Sequence, residues 1–143
     1  MGTVITAERE HEIACGHRVY GHESKCAHVH GHNYLFRFVC EAPSLDKVGR
    51  VIDFSVIKSH LCAWLEEHWD HRMLLWERDP LAEAMRLLDE TVVLLPFNPT
   101  AENIGQFILE VVGPMQLAGT GVTLTSVTVG ETRKCSASVR LRS

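Results

Sequence analysis

The stretch Cys26-Ala27-His28-Val29-His30-Gly31-His32 sets three histidines at every second position directly after a cysteine, and few folds can accommodate it. In a β-strand, side chains two apart share a face, so His30 and His32 project together and in phase with Tyr34, Phe36, Phe38 and Cys40. Such an apolar face looks inward. Two imidazoles on it need partners for their ring nitrogens, which one divalent metal can supply to both. Ile13, Cys15 and His17 alternate in the same way upstream, which offers His17 as a third ligand from a neighbouring strand. Three neutral histidines leave a coordination position open, the pattern of catalytic rather than structural zinc. The competing reading is a set of hydrogen-bonded core or surface histidines, since His-x-His pairs arise by chance. His28 shares the two-residue phase, but Gly31 frees the backbone beside His30 and His32 for close approach, and nothing comparable flanks His28.

At 143 residues, 45% of them hydrophobic and 22% charged, the chain suits one soluble globular domain spanning 1–143. The net charge of -4, with Lys and Arg scattered, forms no basic stripe, so no nucleic-acid partner is expected. No apolar run approaches the roughly 20 residues of a membrane-spanning helix, and no membrane partner is expected. Five cysteines at irregular spacing, with no leader-like segment before them, point to a reduced, cytoplasmic protein. The opening Met1-Gly2-Thr3-Val4-Ile5-Thr6 formally fits a myristoylation pattern but lacks a polybasic second signal.

Alternation predicts a strand from about Val4 to Cys15, a loop over Arg18 to Lys25, and a second strand from about His30 to Glu41, paired as a long hairpin whose loop end is the site. Ile57, Leu61, Trp64, Leu65 and His68 fall at helical spacing behind Asp53 or Ser55 as N-cap. Asp70-His71 follows at the helix exit, and spacing alone favours a surface turn over a positioned catalytic pair. Asp79-Pro80 opens a short helix through Leu88, and Thr91 to Leu95 is a brief strand. Thr100 caps an amphipathic helix stopped by Gly113-Pro114. Two strands close the chain, Val122 to about Thr132 and Lys134 to Arg142, and in the first Glu131 shares the buried phase of Val127 and Val129. A carboxylate there is either half of an ion pair or an acceptor for paired N–H donors of a ligand ring.

Six spaced motifs now stand in one order: His17; Lys25-Cys26 through His30-Gly31-His32-Asn33-Tyr34; Val51-Ile52-Asp53-Phe54; Asp70-His71; Pro99-Thr100-Ala101-Glu102-Asn103; and Glu131-Thr132. In them the chain resembles, over nearly its whole length, the family of 6-pyruvoyltetrahydropterin and 6-carboxytetrahydropterin synthases. The resemblance implies an α+β tunnelling fold, a four-stranded antiparallel sheet with two helices on one face in the order ββααββ. Subunits of that fold join into a barrel, as a trimer or hexamer with active sites between them. It implies His17, His30 and His32 as Zn2+ ligands, Cys26 as proton-abstracting thiolate, Asp70 and His71 as a proton relay, Glu131 as pterin anchor, and Thr100 and Glu102 lining the pterin pocket. Cys15, Cys40, Cys62 and Cys135 are left as packing residues.

Three residues between Cys26 and His30-Gly31-His32 resemble the bacterial carboxy enzymes, whereas the animal pyruvoyl enzymes have a longer gap. The implied substrate is 7,8-dihydroneopterin triphosphate, and the implied products are 6-carboxytetrahydropterin, acetaldehyde and triphosphate, on the route to queuosine. Rival readings are triphosphate elimination to 6-pyruvoyltetrahydropterin and a non-catalytic zinc-binding homologue. The chain departs from the family pattern at Ile13, where Phe is frequent, at Leu75, where Asn commonly follows the Asp-His pair, and in a longer stretch from Trp76 to Leu95. Arg18 and Lys25 are candidate triphosphate cations.

Overall fold

The computed structural model describes residues 2–143. Its strands are β1 (Ala7–His17), β2 (His30–Glu41), β3 (Met73–Trp76), β4 (Val93–Leu95), β5 (Thr123–Gly130) and β6 (Ser136–Arg140). β1 and β2 form the expected hairpin, with Ile13 opposite Tyr34, Cys15 opposite His32 and His17 opposite His30. β1 begins later than its alternation suggests, because Val4 and Ile5 find no partner and stay exposed, and it runs on to His17. β5 pairs with β2 and β6 with β5, both antiparallel.

The four-stranded sheet implied by the resemblance is thus present inside a larger one. The sheet has six strands in the order β4-β3-β1-β2-β5-β6, with β3 parallel to β1 and β4 parallel to β3. The extension answers the unpaired backbone at the end of β1: Gly16 donates to the Arg72 carbonyl at 3.0 Å, and Gly16 and His17 pair with Met73 and Leu74. Leu74 joins the main core, while Leu75, on the alternate face, is fully buried outside that cluster, where Ala82 and Val92 are buried as well. A leucine at 75 therefore reads as packing for the added strand.

One face of the sheet carries Ile13, Tyr34, Phe36, Phe38, Val127 and Val129 against the helices. Helix α1 runs continuously over Phe54–Ile57, Lys58–Cys62 and Ala63–His68, and Asp53 caps it by accepting from the Ser55 N–H at 2.9 Å. α2 (Ala82–Leu88) is short, and α3 covers Ala101–Phe107, Ile108–Val112 and Gly113–Gln116. Leu124 and Val127 both face inward although three residues apart, because the β2–β5 register shifts between Val39 and Cys40 and leaves Thr125 as a bulge.

Gly113-Pro114 does not stop α3, contrary to its sequence. The helix widens into a π-turn in which the Gly113 N–H reaches the Ile108 carbonyl, and it then continues to Gln116. Such a turn accommodates a proline, whose ring has no N–H to give and clashes with the carbonyl of an ordinary turn. Gly113 is there for close approach to β5: a Cβ on it would lie 2.6 Å from Leu124 Cδ2 and 3.2 Å from the Ile108 carbonyl oxygen. Gly113→Ala should therefore lower stability by about 1–2 kcal/mol despite its gain of roughly 1 kcal/mol in helix propensity. Urea denaturation measures this, and a stabilised variant would show that Leu124 yields freely.

Candidate metal centre and its surroundings

The hairpin register places His17, on the last residue of β1, directly opposite His30, on the first of β2. His32 follows two residues on along the same face. The three rings converge, with centroids 4.5 Å apart for His17–His30, 4.8 Å for His30–His32 and 5.2 Å for His17–His32. One ligand nitrogen from each lies within 4.8 Å of the others. His17 Nδ1 sits 2.7 Å from the Pro99 carbonyl and His30 Nδ1 2.7 Å from the His28 carbonyl. A carbonyl only accepts, so these contacts place a proton on Nδ1 and a lone pair on Nε2. Nε2 of His17 and of His32 are buried with no partner. Orphaned, lone-pair-bearing nitrogens facing one another fit a divalent metal, with the carbonyls as orienting groups behind the ligands. His28 contributes only its carbonyl, and its side chain is exposed.

Burial is the largest influence on His17, lowering its pKa to about 4 against the opposing Pro99 contact, with the other two histidines adding to the fall. His32 is also lowered, chiefly by burial, although Glu131 pulls the other way. Both rings are thereby kept neutral, as metal ligation requires. Tyr34 Oη is the third buried polar atom without a partner, and its ring abuts His17 and His32.

Glu131 follows β5 immediately and presents Oε2 at 3.7 Å from His17 Nε2, too long for a hydrogen bond. Among the described residues no Lys or Arg pairs with it, so the ion-pair reading has no cation to rest on. Cys26 lies half-buried on a single turn of 3-10 helix, Lys25–Ala27. Thr100 caps α3, its Oγ1 accepting from the Asn103 N–H at 3.1 Å, while Glu102 is exposed in the first turn. Arg18 is held by Asp79 rather than free for a triphosphate, and Lys25 is exposed.

Asp70 and His71 do form a turn, and it is an ordered one. Asp70 accepts from the Ala14 N–H at 3.0 Å and faces His71 Nδ1 at 2.9 Å, while the His71 N–H bonds the Ala14 carbonyl at 2.6 Å. Burial works against the Asp70 charge, but the bonds from His71 and Ala14 hold its carboxyl below the usual range. His71 has φ of +60°, a left-handed conformation found at no other non-glycine among the described residues, and its side chain is 80% exposed. The pair does not touch the three histidines. Of the three, only His32 shares with His71 the lining of a cavity of about 550 Å3, together with Gly31, Asn33 and Arg72. Cys15 also lines it, but burial, assisted by the Asp70 charge, pushes that thiol up to about 12. Cys135 is exposed rather than packed, since β6 begins only at Ser136.

A histidine held below its unfolded value takes its proton first in the unfolded chain, so acid favours unfolding. The metal-free protein should therefore be most stable above pH 6.5 and lose on the order of 3 kcal/mol through His17 as pH falls towards 4. His17→Asn, which does not titrate, should flatten that slope in urea titrations across the range. An unchanged slope would place the sensitivity elsewhere.

A family model described as 6-pyruvoyl tetrahydropterin synthase matches residues 6–142. The 6-carboxy-5,6,7,8-tetrahydropterin synthase of Rickettsia bellii is 32% identical over 136 residues, covering 92% of this chain and 97% of the relative. The probable enzyme of the same name from Halobacterium salinarum is 37% identical over 130 residues, covering 90% and 81%. Among solved structures, an uncharacterized protein of Wolinella succinogenes superposes with a TM-score of 0.86 at 24% identity over 99% of this chain and 100% of its own. The 6-pyruvoyl tetrahydropterin synthase of Caenorhabditis elegans gives 0.70 at 22% over 98% and 97%. These structures establish the shared fold, and the family model and the curated relatives establish the kinship: the chain belongs to the 6-pyruvoyl tetrahydropterin synthase family.

Proposed function

We propose that the chain is a zinc-dependent 6-carboxytetrahydropterin synthase, a cytoplasmic lyase of one domain. It would turn 7,8-dihydroneopterin triphosphate and one water into 6-carboxy-5,6,7,8-tetrahydropterin, acetaldehyde and triphosphate, in the precursor route to queuosine. The observation that carries this reading is the cluster of His17, His30 and His32, two of them with Nδ1 turned to a carbonyl and two with a buried, unpartnered Nε2. His17, His30 and His32 would hold the zinc, which would supply Lewis acidity to acidify carbon-bound protons next to a substrate oxygen.

The remaining steps belong to the chain's own groups. Cys26, as thiolate, removes a carbon-bound proton. His71, oriented by Asp70, passes protons on the opposite face. Glu131, with no cation of its own, accepts the paired N–H donors of the pterin ring, and Thr100 and Glu102 flank that pocket. Within one chain Asp70 and His71 stand apart from the histidines, which supports an assembly, a trimer or hexamer, in which they complete a site together with a second copy. The carboxy product is favoured by the three-residue gap after Cys26 and by the names of the curated relatives.

Incubation of the zinc-loaded protein with dihydroneopterin triphosphate should yield acetaldehyde and 6-carboxytetrahydropterin, identified by mass. Formation of 6-pyruvoyltetrahydropterin without acetaldehyde would replace the carboxy reading with the pyruvoyl one. Cys26→Ala should keep its zinc and lose about 10²- to 10⁴-fold in turnover, as removal of a general base does. His30→Ala should lose stoichiometric zinc, and metal analysis of the folded variant decides that point.

A further inference from the structure

The turn that carries Cys26 is anchored from outside itself. Its two consecutive carbonyls are both claimed by the chain leaving β1: Cys26 O accepts from the Val19 N–H at 2.7 Å, and Ala27 O from Arg18 Nη1 at 3.3 Å. Arg18 does not reach that carbonyl by chance of rotamer. Its Nε and Nη2 form a two-pronged fork on Asp79, at 2.7 and 2.5 Å, and its guanidinium carbon lies 5.4 Å from the Tyr20 ring centre. Asp79 is itself fixed. Its carboxylate is wholly buried, it accepts a third bond from the Leu81 N–H at 2.8 Å, and its backbone closes turns onto Trp76 and Ala82. A forked pair with one partner fully desolvated and the other only 17% exposed holds geometry far more tightly than a surface ion pair.

Asp79 comes from the stretch that follows β3, so that segment reaches back across the fold to the turn bearing the Cys26 thiol. We propose that Arg18 and Asp79 are positioning residues for Cys26: Asp79 fixes the guanidinium, and the guanidinium fixes the Ala27 carbonyl and with it the placement of the thiol. The proposal rests on the catalytic reading of Cys26 only for its effect on turnover. The placement of the turn can be measured without that reading.

The test uses the zinc-loaded protein, wild type and the variants Asp79→Asn and Arg18→Lys, each keeping bulk and removing the fork. Iodoacetamide labelling is followed cysteine by cysteine through peptide mass, beside zinc content and steady-state kinetics. Cys26 should label several-fold faster as its turn opens locally, while Cys40 and Cys62, both buried, stay unlabelled and zinc remains stoichiometric. kcat should fall about ten- to a hundredfold with KM little changed, because a misplaced base affects the chemical step more than binding. Wild-type labelling of Cys26 in folded variants would overturn the proposal. So would parallel labelling of Cys26, Cys40 and Cys62, since the pair would then hold the fold as a whole. Faster labelling of Cys26 with undiminished turnover would uphold the positioning role and remove Cys26 from the chemistry. If Asp79→Asn does not fold, Arg18→Lys decides, since it retains the charge that neutralises the buried carboxylate.

Discussion

The His17 ring is buried to within 1% of complete, and the chain satisfies only one of its two nitrogens. The bond from Nδ1 to Pro99 spans 82 residues and ties the end of β1 to the turn from which α3 departs. That turn is further braced by Asn98, which exchanges bonds with the backbone of Tyr20, and by Asn103, which donates to the Asn98 carbonyl. A buried polar ring of this kind is unfavourable unless its remaining nitrogen meets something the chain lacks. The surrounding architecture, with β1 and β2 ending at one point and α3 starting beside it, serves to hold that unmet valence in place.

The groups with acid–base character are distributed around this centre on separate supports. Glu131 arrives from the end of β5, Cys26 from a single turn between β1 and β2, and Asp70 with His71 from the exit of α1. Each is held by contacts of its own support rather than by contacts with the other two. Of these groups, Glu131 comes nearest to one of the three clustered histidines, its Oε2 3.7 Å from His17 Nε2, and it stops short of a hydrogen bond. Side chains kept apart in this way remain available to a ligand entering between them. The strained φ of His71 fits the same pattern, since the Ala14 carbonyl holds its backbone in a conformation that leaves the imidazole projecting into solvent.

Much of this was legible in the sequence because strand periodicity is a local signal. The phase from His30 through Cys40 gave both the bounds of β2 and its buried face, and Asp53 and Thr100 marked their helix starts as side-chain caps do. The convergence of His17 with His30 and His32 followed from the same alternation in a paired strand. What escaped depended on distant partners. Met73-Leu74-Leu75-Trp76 is a short apolar run that fits a strand or a helix equally, and its parallel pairing with β1 joins residues nearly sixty apart. Gly113-Pro114 is a stop signal by composition, overridden here by a π-turn and by close packing on Leu124. The fork between Arg18 and Asp79 left no pattern, since two charges 61 residues apart have no periodicity to share. Cys135, expected to pack, lies one residue before β6 begins and so stays exposed.

The placement of His17 opposite His30 has a consequence for how the chain matures. Side chains alternate between faces, so a hairpin slipped by one residue would set His17 against the wrong neighbour and turn it away from His30 and His32. The cluster can therefore assemble only in the correctly aligned hairpin. An ion held at the three imidazoles would bind only the correctly aligned chain, and by mass action it would stabilise that register against any other.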